Sequence, residues 1–400
     1  MSPRLEKRRV AVTGLGVVSC CGTGTDAFFE GLLAAPPRGE HRVADFDPGR
    51  WFDPKEARQT DRFAQFSVAA AAMALEDAGE VGTDPLRSGV IFGTGVGGLE
   101  TLQEQIGVLV LKGPRRVSPR LVPMIMGNAG AAAISMRYGW QGPCETIVTA
   151  CAAGTQSIGN AYRLIAYDRC DAVITGGAEA AMTPVGDQVA IGIAAFGNMT
   201  ALSTSGESRP FDVRRDGFVI AEGGAALVLE ELEHARARGA HIYAEVLGAA
   251  STADAYHITA PAPGGAGAYA CMELALEDAG VAPSDVTHIN AHGTSTPLND
   301  LAEAEAIEKL FGGATPPVTS VKGVTGHSLA AAGAIEGVAV ALTIERGLIP
   351  PTAGLEQQDP EIHLDVVTGA PRPFTPGPVL SNSFGFGGHN GCLVLAPVAP

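Results

Sequence analysis

Cys151 stands in Thr149-Ala-Cys-Ala-Ala-Gly-Thr155, after the apolar run Thr146-Ile147-Val148 and before a stretch, Gln156–Ala166, that reads as a helix. A thiol at a strand-to-helix turn faces the positive end of the helix dipole, which favours thiolate, the nucleophilic form of cysteine. Standing alone, Cys151 would read as a small buried hydrophobe, the state of most free cysteines. Two histidines change that reading. His292 lies in Asn290-Ala-His-Gly-Thr-Ser-Thr-Pro297, just after the strand-like Val286–Ile289, and His327 lies in Val321-Lys-Gly-Val-Thr-Gly-His-Ser328, before an alanine- and glycine-rich helical run. Both occupy strand-end turns, where α/β proteins place catalytic groups, and the adjoining glycines permit close substrate approach. One histidine is more often structural than catalytic; two in equivalent glycine-flanked turns point to chemistry.

Lys322 precedes a helical run that carries Glu336. Buried, the two would have to pair, because an isolated buried charge is costly; the plain alternative is an exposed surface pair. The segment Asn382-Ser-Phe-Gly-Phe-Gly-Gly-His-Asn-Gly391 is too glycine-rich for a core strand. Its N–H groups are expected to be free to serve an oxyanion, a simple β-turn being the alternative. Gly93-Thr-Gly-Val-Gly-Gly98 resembles a phosphate-binding loop, but no Lys-Ser/Thr follows and no acidic residue completes a dinucleotide fingerprint, so nucleotide binding is discounted.

These residues need a scaffold, and the chain alternates strand-like and helical runs throughout. Val10–Val18, Ser88–Gly93, Asp171–Gly176 and Ala225–Glu230 read as strands, and Phe63–Ala78 and Glu231–Arg238 as helices. The second half repeats the logic with helices at Ala268–Ala279, Asp300–Leu310 and Ala330–Glu345, and strands at Val286–Ala291, Val318–Val321, Val379–Ser383 and Gly391–Ala396. Such alternation predicts helices stacked on mixed sheets. Leu-Glu-Asp-Ala-Gly occurs at both 75–79 and 276–280, each time closing a helical run, which supports two related halves.

At 400 residues the chain exceeds one ordinary core. No apolar run approaches ~20 residues, so a membrane span is not expected. The basic start, Met1 to Arg9, runs directly into Val10-Ala-Val-Thr-Gly-Leu-Gly16, which lacks the apolar core of a signal peptide; a cytoplasmic protein is expected. The 7 cysteines form no Cys-x-x-Cys pair, so neither a zinc site nor a redox motif is indicated. A net charge of −16 argues against a nucleic-acid binder.

Taken together, Thr149–Ala152, Gly176-Gly-Ala-Glu179, Ser208-Arg-Pro-Phe-Asp212, Arg215-Asp-Gly-Phe-Val219, Asn290–Pro297, Lys322 with Gly326-His327, and Asn382–Gly388 resemble the β-ketoacyl-acyl carrier protein synthases of type II, in order, from Val10 to Leu395. The resemblance implies a thiolase-like five-layered αβαβα fold built from two related halves, residues 1–240 carrying the cysteine and 241–400 carrying the histidines. It implies Cys151 as acyl-accepting nucleophile, His292 and His327 as catalytic histidines, and Lys322 with its acidic partner Glu336 as organisers of the imidazoles; a lysine is ordinarily protonated at neutral pH. It implies Phe386 as the gating residue whose N–H joins that of Cys151 in an oxyanion hole, Thr294 and Thr296 as ligands of a phosphopantetheine arm, and Val96 at the acyl pocket.

The implied reaction is transfer of an acyl chain to Cys151, decarboxylation of a malonyl thioester, and Claisen condensation to a 3-oxoacyl product. It implies no metal and no cofactor of the chain's own, substrates being carried on the phosphopantetheine of acyl carrier protein. Carrier proteins are acidic, so docking needs a local basic face. Lys112, Arg115 and Arg116 form one candidate and Lys55 with Arg58 another; scattered solvated charges are the alternative. Val185–Thr200 is longer than the family's usual stretch, which leaves acyl length open. It also leaves open whether the enzyme serves fatty-acid elongation or a type II polyketide or polyene pathway, as a homodimer or paired with a chain-length-factor homologue. Two rivals share the fold: a non-catalytic chain-length factor, which typically lacks the cysteine, and a thiolase acting on coenzyme A esters, which usually needs a second cysteine in the C-terminal glycine-rich loop.

Overall fold

The structure, a computed structural model, describes residues 7–399; residues 1–6 and Pro400 lie outside them. The strands that matter are β1 (Val10–Ser19), β2 (Ser88–Gly93), β3 (Cys144–Ile147), β4 (Ala172–Glu179), β5 (Gly223–Glu231), β6 (Ala244–Ala253), β7 (His288–Asn290), β8 (Val318–Thr319), β9 (Val379–Gly385) and β10 (His389–Ala396). The main helices are α1 (Arg62–Ala78), α2 (Leu99–Lys112), α3 (Ala129–Tyr138), α4 (Ala153–Ala166), α5 (Ile191–Asn198), α6 (Ala266–Ala279), α7 (Pro297–Phe311) and α8 (Ala332–Arg346).

The strands follow one hydrogen-bonded path, β3-β2-β4-β5-β1-β6-β10-β9-β7-β8. Its two halves are equivalent. β3, β2 and β4 are parallel and β5 and β1 follow antiparallel; β8, β7 and β9 are parallel and β10 and β6 follow antiparallel. The halves join where Val10–Val12 of β1 pair with Ala244–Val246 of β6. Helix α1 packs on β1 and β5, and α6 packs on β6 and β10, while α4 and α8 each contact strands of both halves. This is the expected αβαβα layering. The repeated pentapeptide closes α1 and α6, the outer helices of equivalent units, and each ends at a glycine with positive φ, 71° at Gly79 and 68° at Gly280.

The burial pattern explains the order of layers. All ten residues of β1 are buried, as expected for a strand covered on both faces. Alanines of α1 lie so close to it that a Cβ on Gly16 would stand 2.0 Å from the Ala70 carbonyl oxygen. Every residue from Ala332 to Ile344 of α8 is buried, so this helix occupies the middle layer. Its Ile335, Val338, Val340 and Leu342 each contribute about 1.5–3 kcal/mol by leaving water. Glu336 is a carboxylate in the middle of that apolar helix.

Two sequence expectations need correction. Asn382–Gly391 is not an open loop: Asn382–Gly385 belong to β9 and His389–Gly391 to β10, leaving a tight turn at 386–388. Val318–Val321 shortens to β8, and Lys322–Thr325 form a helical turn instead.

Candidate active site

The turn before α4 holds Cys151 in a 3₁₀ segment, Ala150–Ala152, whose first residue has φ 49°, a strained value for a non-glycine residue. The sulfur receives the backbone N–H groups of Cys151 itself and of Phe386. A Cβ on Gly385 would stand 3.0 Å from the Cys151 nitrogen, so the β9–β10 turn is seated directly on the cysteine backbone. His327 Nε2 lies 3.0 Å from Cys151 Sγ. The His327 ring packs edge-on against Phe218, and its backbone N–H donates to the Val219 carbonyl at 2.8 Å.

His292 sits beyond His327, with ring centroids 5.4 Å apart and planes at 87°. Lys322 Nζ lies 3.3 Å from His292 Nδ1 and is also paired with Glu336 Oε1. Lys322 and Glu336 are each 1% exposed, so the surface-pair alternative fails. Thr294 and Thr296 hydrogen-bond each other through their hydroxyls at 2.9 Å. Cys151, His292, His327, Thr294, Thr296, Phe386 and the half-exposed Val96 all line one cavity of about 410 Å³.

Burial sets the protonation states. It pushes the Cys151 thiol up to about 11, against the opposing pull of Lys322 and the two N–H groups. Both imidazoles are held well below the ordinary histidine value by burial and by the Lys322 charge, with His327 adding to the effect on His292. The pair at rest is therefore a neutral thiol beside a neutral imidazole. The strand-to-helix turn is expected to favour thiolate; desolvation acts in the opposite direction and raises the thiol. His327 is placed to take the thiol proton as Cys151 attacks, and the two N–H groups to stabilise the oxyanion that follows.

Cys151, His292 and His327 also present three donor atoms within 4.8 Å of one another, the number and softness of an open zinc site. The Lys322 ammonium donates to His292 Nδ1 from within the same site, and a second cation there would meet its repulsion.

Two buried carboxylates join the site: Glu303, which no sequence motif marks, and Glu179, which ends the Gly176-Gly-Ala-Glu179 motif but is given no role by it. Glu303 on α7 accepts the backbone N–H groups of His292 and Gly293, each at 2.8 Å, and so fixes the turn that presents His292. Asn382 Nδ2 adds a contact to it at 3.3 Å. Glu179, at the end of β4, lines the cavity and is fully buried. The proposed docking residues lie elsewhere. Lys112 ends α2, Arg115 and Arg116 follow it, Lys55 lies within a short helix at Pro54–Ala57 and Arg58 caps its end; all five are exposed, and none makes an ion pair with a described residue.

This fold, with a cysteine and two histidines brought together in one cavity, defines a condensing enzyme of the thiolase-like class. Residues 37–235 match the N-terminal domain, and residues 243–356 the C-terminal domain, of beta-ketoacyl synthase. The chain is 44% identical over 417 residues to 3-oxoacyl-[acyl-carrier-protein] synthase 2 of Synechocystis sp., with 98% of each covered. Among solved structures it is similar to the ishigamide ketosynthase/chain length factor, at TM-score 0.90 and 35% identity over 98% of this chain and 100% of that one. It is also similar to a type II polyketide synthase acyl-carrier protein in complex with its ketosynthase bound to the hexaketide, at TM-score 0.87 and 33% identity over the same shares. The chain belongs to the beta-ketoacyl synthase family.

Proposed function

We propose that this chain catalyses decarboxylative Claisen condensation of an acyl group held on Cys151 with malonyl-acyl carrier protein, releasing CO₂ and 3-oxoacyl-acyl carrier protein. The observation that carries this reading is the buried pair of Cys151 Sγ and His327 Nε2 at 3.0 Å, with two backbone N–H groups on the sulfur. Cys151 attacks the acyl thioester carbonyl, the thiol proton passes to the imidazole, and the pantetheine thiolate leaves and recovers a proton. The malonyl thioester then binds in the same cavity and loses CO₂. The enolate oxygen accepts hydrogen bonds from the neutral imidazoles, the α-carbon attacks the acyl-Cys151 carbonyl, and the Cys151 sulfur leaves as thiolate and takes up a proton from solvent. Thr294 and Thr296 hold the pantetheine arm, and Phe386 gates the entrance beside Phe196, 6.4 Å away between ring centroids. No step calls on a metal or a redox group.

A thiolase would need its second cysteine in the cavity. Cys392 lies instead in β10, fully buried, outside that cavity and beside Cys271. The presence of Cys151 argues against a chain-length factor. The acyl carrier protein is the proposed partner, met by Lys112, Arg115 and Arg116 or by Lys55 and Arg58. A division of the chain near residue 240, at the junction of the two equivalent halves, belongs to the same reading.

A second chain of the same fold is proposed to cover one face. Helix α2 leaves Ile106, Leu109, Val110 and Leu111 uncovered, Met136 of α3 and Val148 are exposed, and β3 ends the sheet path with an edge that no strand among the described residues pairs. An apolar face with an open strand edge calls for a partner. Native mass of the chain purified alone, compared with the chain co-expressed with a homologue, separates homodimer from heterodimer. Among the described residues no helix is long and apolar enough to cross a membrane.

Incubation with acyl- and then malonyl-acyl carrier protein, followed by intact mass, tests the reaction. An acyl adduct on the chain and then a 3-oxoacyl product are expected. No adduct on the wild type, or an unchanged adduct on Cys151→Ala, would sink the proposal.

A further inference from the structure

We infer that Glu179 is a positioning residue whose carboxylate fills an anion cradle at a second, cysteine-free elbow and thereby fixes the wall of the acyl cavity at Val96. The inference rests on the condensation reading. Its starting point is the duplication. Ala150-Cys-Ala-Ala-Gly154 leads into α4, and Leu329-Ala-Ala-Ala-Gly333 leads into α8. Each begins with a 3₁₀ turn, Ala150–Ala152 and Leu329–Ala331. Each places a non-glycine residue at nearly the same positive φ, 49° at Ala150 and 50° at Leu329. Ala330 therefore stands where Cys151 stands in the other half.

At the first elbow, the N–H groups of Cys151 and Phe386 converge on the sulfur. At the second, the N–H of Ala330 is directed at the Glu179 carboxylate. Glu179 closes β4, the counterpart of β9, whose C-terminal neighbour is Phe386. The carboxylate also receives the Thr94 hydroxyl at 3.1 Å, the Gly95 N–H at 2.7 Å and the Val96 N–H at 3.4 Å. It is fully buried and makes no ion pair with any described residue. The four donors stand in place of a counter-ion. The phosphate-loop look of Gly93–Gly98 has the same cause: its amides face an anion, and the anion is the protein's own.

This carboxylate ties together two segments that reach the cavity, one carrying Val96 and one carrying Leu329, two residues beyond His327. Burial pushes its carboxyl up to about 7 while the donors pull the other way. In Glu179→Gln only one oxygen remains, and the amide NH₂ faces N–H donors instead of accepting from them. The Val96 segment then loses its anchor, and the end of the cavity that measures chain length changes shape. Gly95→Ala tests the contact from the other side, since its Cβ would stand 2.6 Å from Glu179 Oε2.

The measurement is the ratio of kcat/KM for a long over a short acyl-carrier substrate, read with the wild type, Glu179→Gln and Gly95→Ala in parallel. About a tenfold change in that ratio, in the same direction in both variants, is expected. A role confined to stability would lower both substrates together, and an unchanged ratio in the variants would overturn the inference. If Glu179→Gln fails to fold, the Gly95→Ala ratio alone decides. A wild type that forms no acyl adduct would instead defeat the condensation reading.

Discussion

Lys322 Nζ lies 3.3 Å from Nδ1 of His292 and is paired on its other side with Glu336, so a buried ammonium donates to one nitrogen of an imidazole held neutral. With Nδ1 occupied as an acceptor, the ring proton belongs on Nε2. The histidine can then donate to a developing enolate without carrying a charge of its own. On the proposed reading, Lys322 fixes the His292 tautomer and its charge disfavours protonation of both imidazoles.

Replacing Lys322 with Met should therefore do two separable things. It leaves the Glu336 carboxylate buried without a partner, destabilising the fold by about 3–5 kcal/mol. It also frees the His292 tautomer, and decarboxylation of malonyl-acyl carrier protein should fall about 100-fold or more. Adding Glu336→Leu should restore much of the melting temperature and none of the decarboxylation. Recovery of both in the double variant would mean that the lysine serves stability alone.

The Cys151 thiol, pushed up to about 11, should alkylate unlike a helix-activated thiolate. The thiolate is the reactive species, and a rise of two units from the ordinary 9.0 leaves about 100-fold less of it at neutral pH. Iodoacetamide labelling of Cys151, followed by peptide mass, should climb steadily from pH 7 towards pH 10. A plateau already reached by pH 6 would show a preformed thiolate–imidazolium pair.

The local motifs were legible because each is short and self-contained. A cysteine before a helix and two histidines flanked by glycine announce themselves in a few residues. The two halves were legible too, because Leu-Glu-Asp-Ala-Gly closes both α1 and α6. Other features depend on what packs against them from far away in the chain. Glu303 shares α7 with Asp300, Glu305 and Glu308, and nothing local marks it as the one beneath His292. The glycines of Asn382–Gly391 suggest a loop, but Asn382–Gly385 of β9 pair in register with His389–Cys392 of β10, and that pairing overrides composition. The opposing pulls on Cys151 differ in the same way: the helix N-terminus is written locally, whereas the desolvation that raises the thiol is supplied by the whole fold.

The seat of the β9–β10 turn on Cys151 separates the ring of Phe386 from its backbone. Phe386→Ala removes the gate and keeps the N–H, so acylation of Cys151 should persist while access becomes less selective for acyl length. Gly385→Ala sets a methyl group 3.0 Å from the Cys151 nitrogen and the Thr149 oxygen. It should displace the oxyanion donors and lower the acylation rate about 100- to 1,000-fold, the usual effect of losing one such donor. Single-turnover acylation of both variants checks this; equal rates would place the oxyanion donors elsewhere.

On the outside, Arg115→Glu with Arg116→Glu should raise KM for acyl-acyl carrier protein severalfold and leave turnover of a short free acyl thioester unchanged. The carrier-specific effect should shrink as salt is raised, because exposed charges are screened over about 8–10 Å at physiological ionic strength. Equal effects on both substrates would remove these residues from the docking face.

Glu303 offers a test through stability. Burial pushes its carboxyl up to about 7 from 4.5, with the N–H groups of Gly293 and His292 opposing. A carboxyl whose folded value is raised favours the folded state most where both states are protonated, below about pH 4.5. That contribution is lost as pH rises, because the unfolded chain ionises first, and the loss is complete above about pH 7. A shift of this size corresponds to roughly 3 kcal/mol across the window. Glu303→Gln cannot titrate, and its melting temperature should gain on that of the wild type between pH 5 and pH 7.5, even if it starts lower because the amide is a poorer acceptor for two N–H groups. Parallel curves across that range would mean that Glu303 is ionised throughout, with the turn before α7 holding it as a full carboxylate beneath His292.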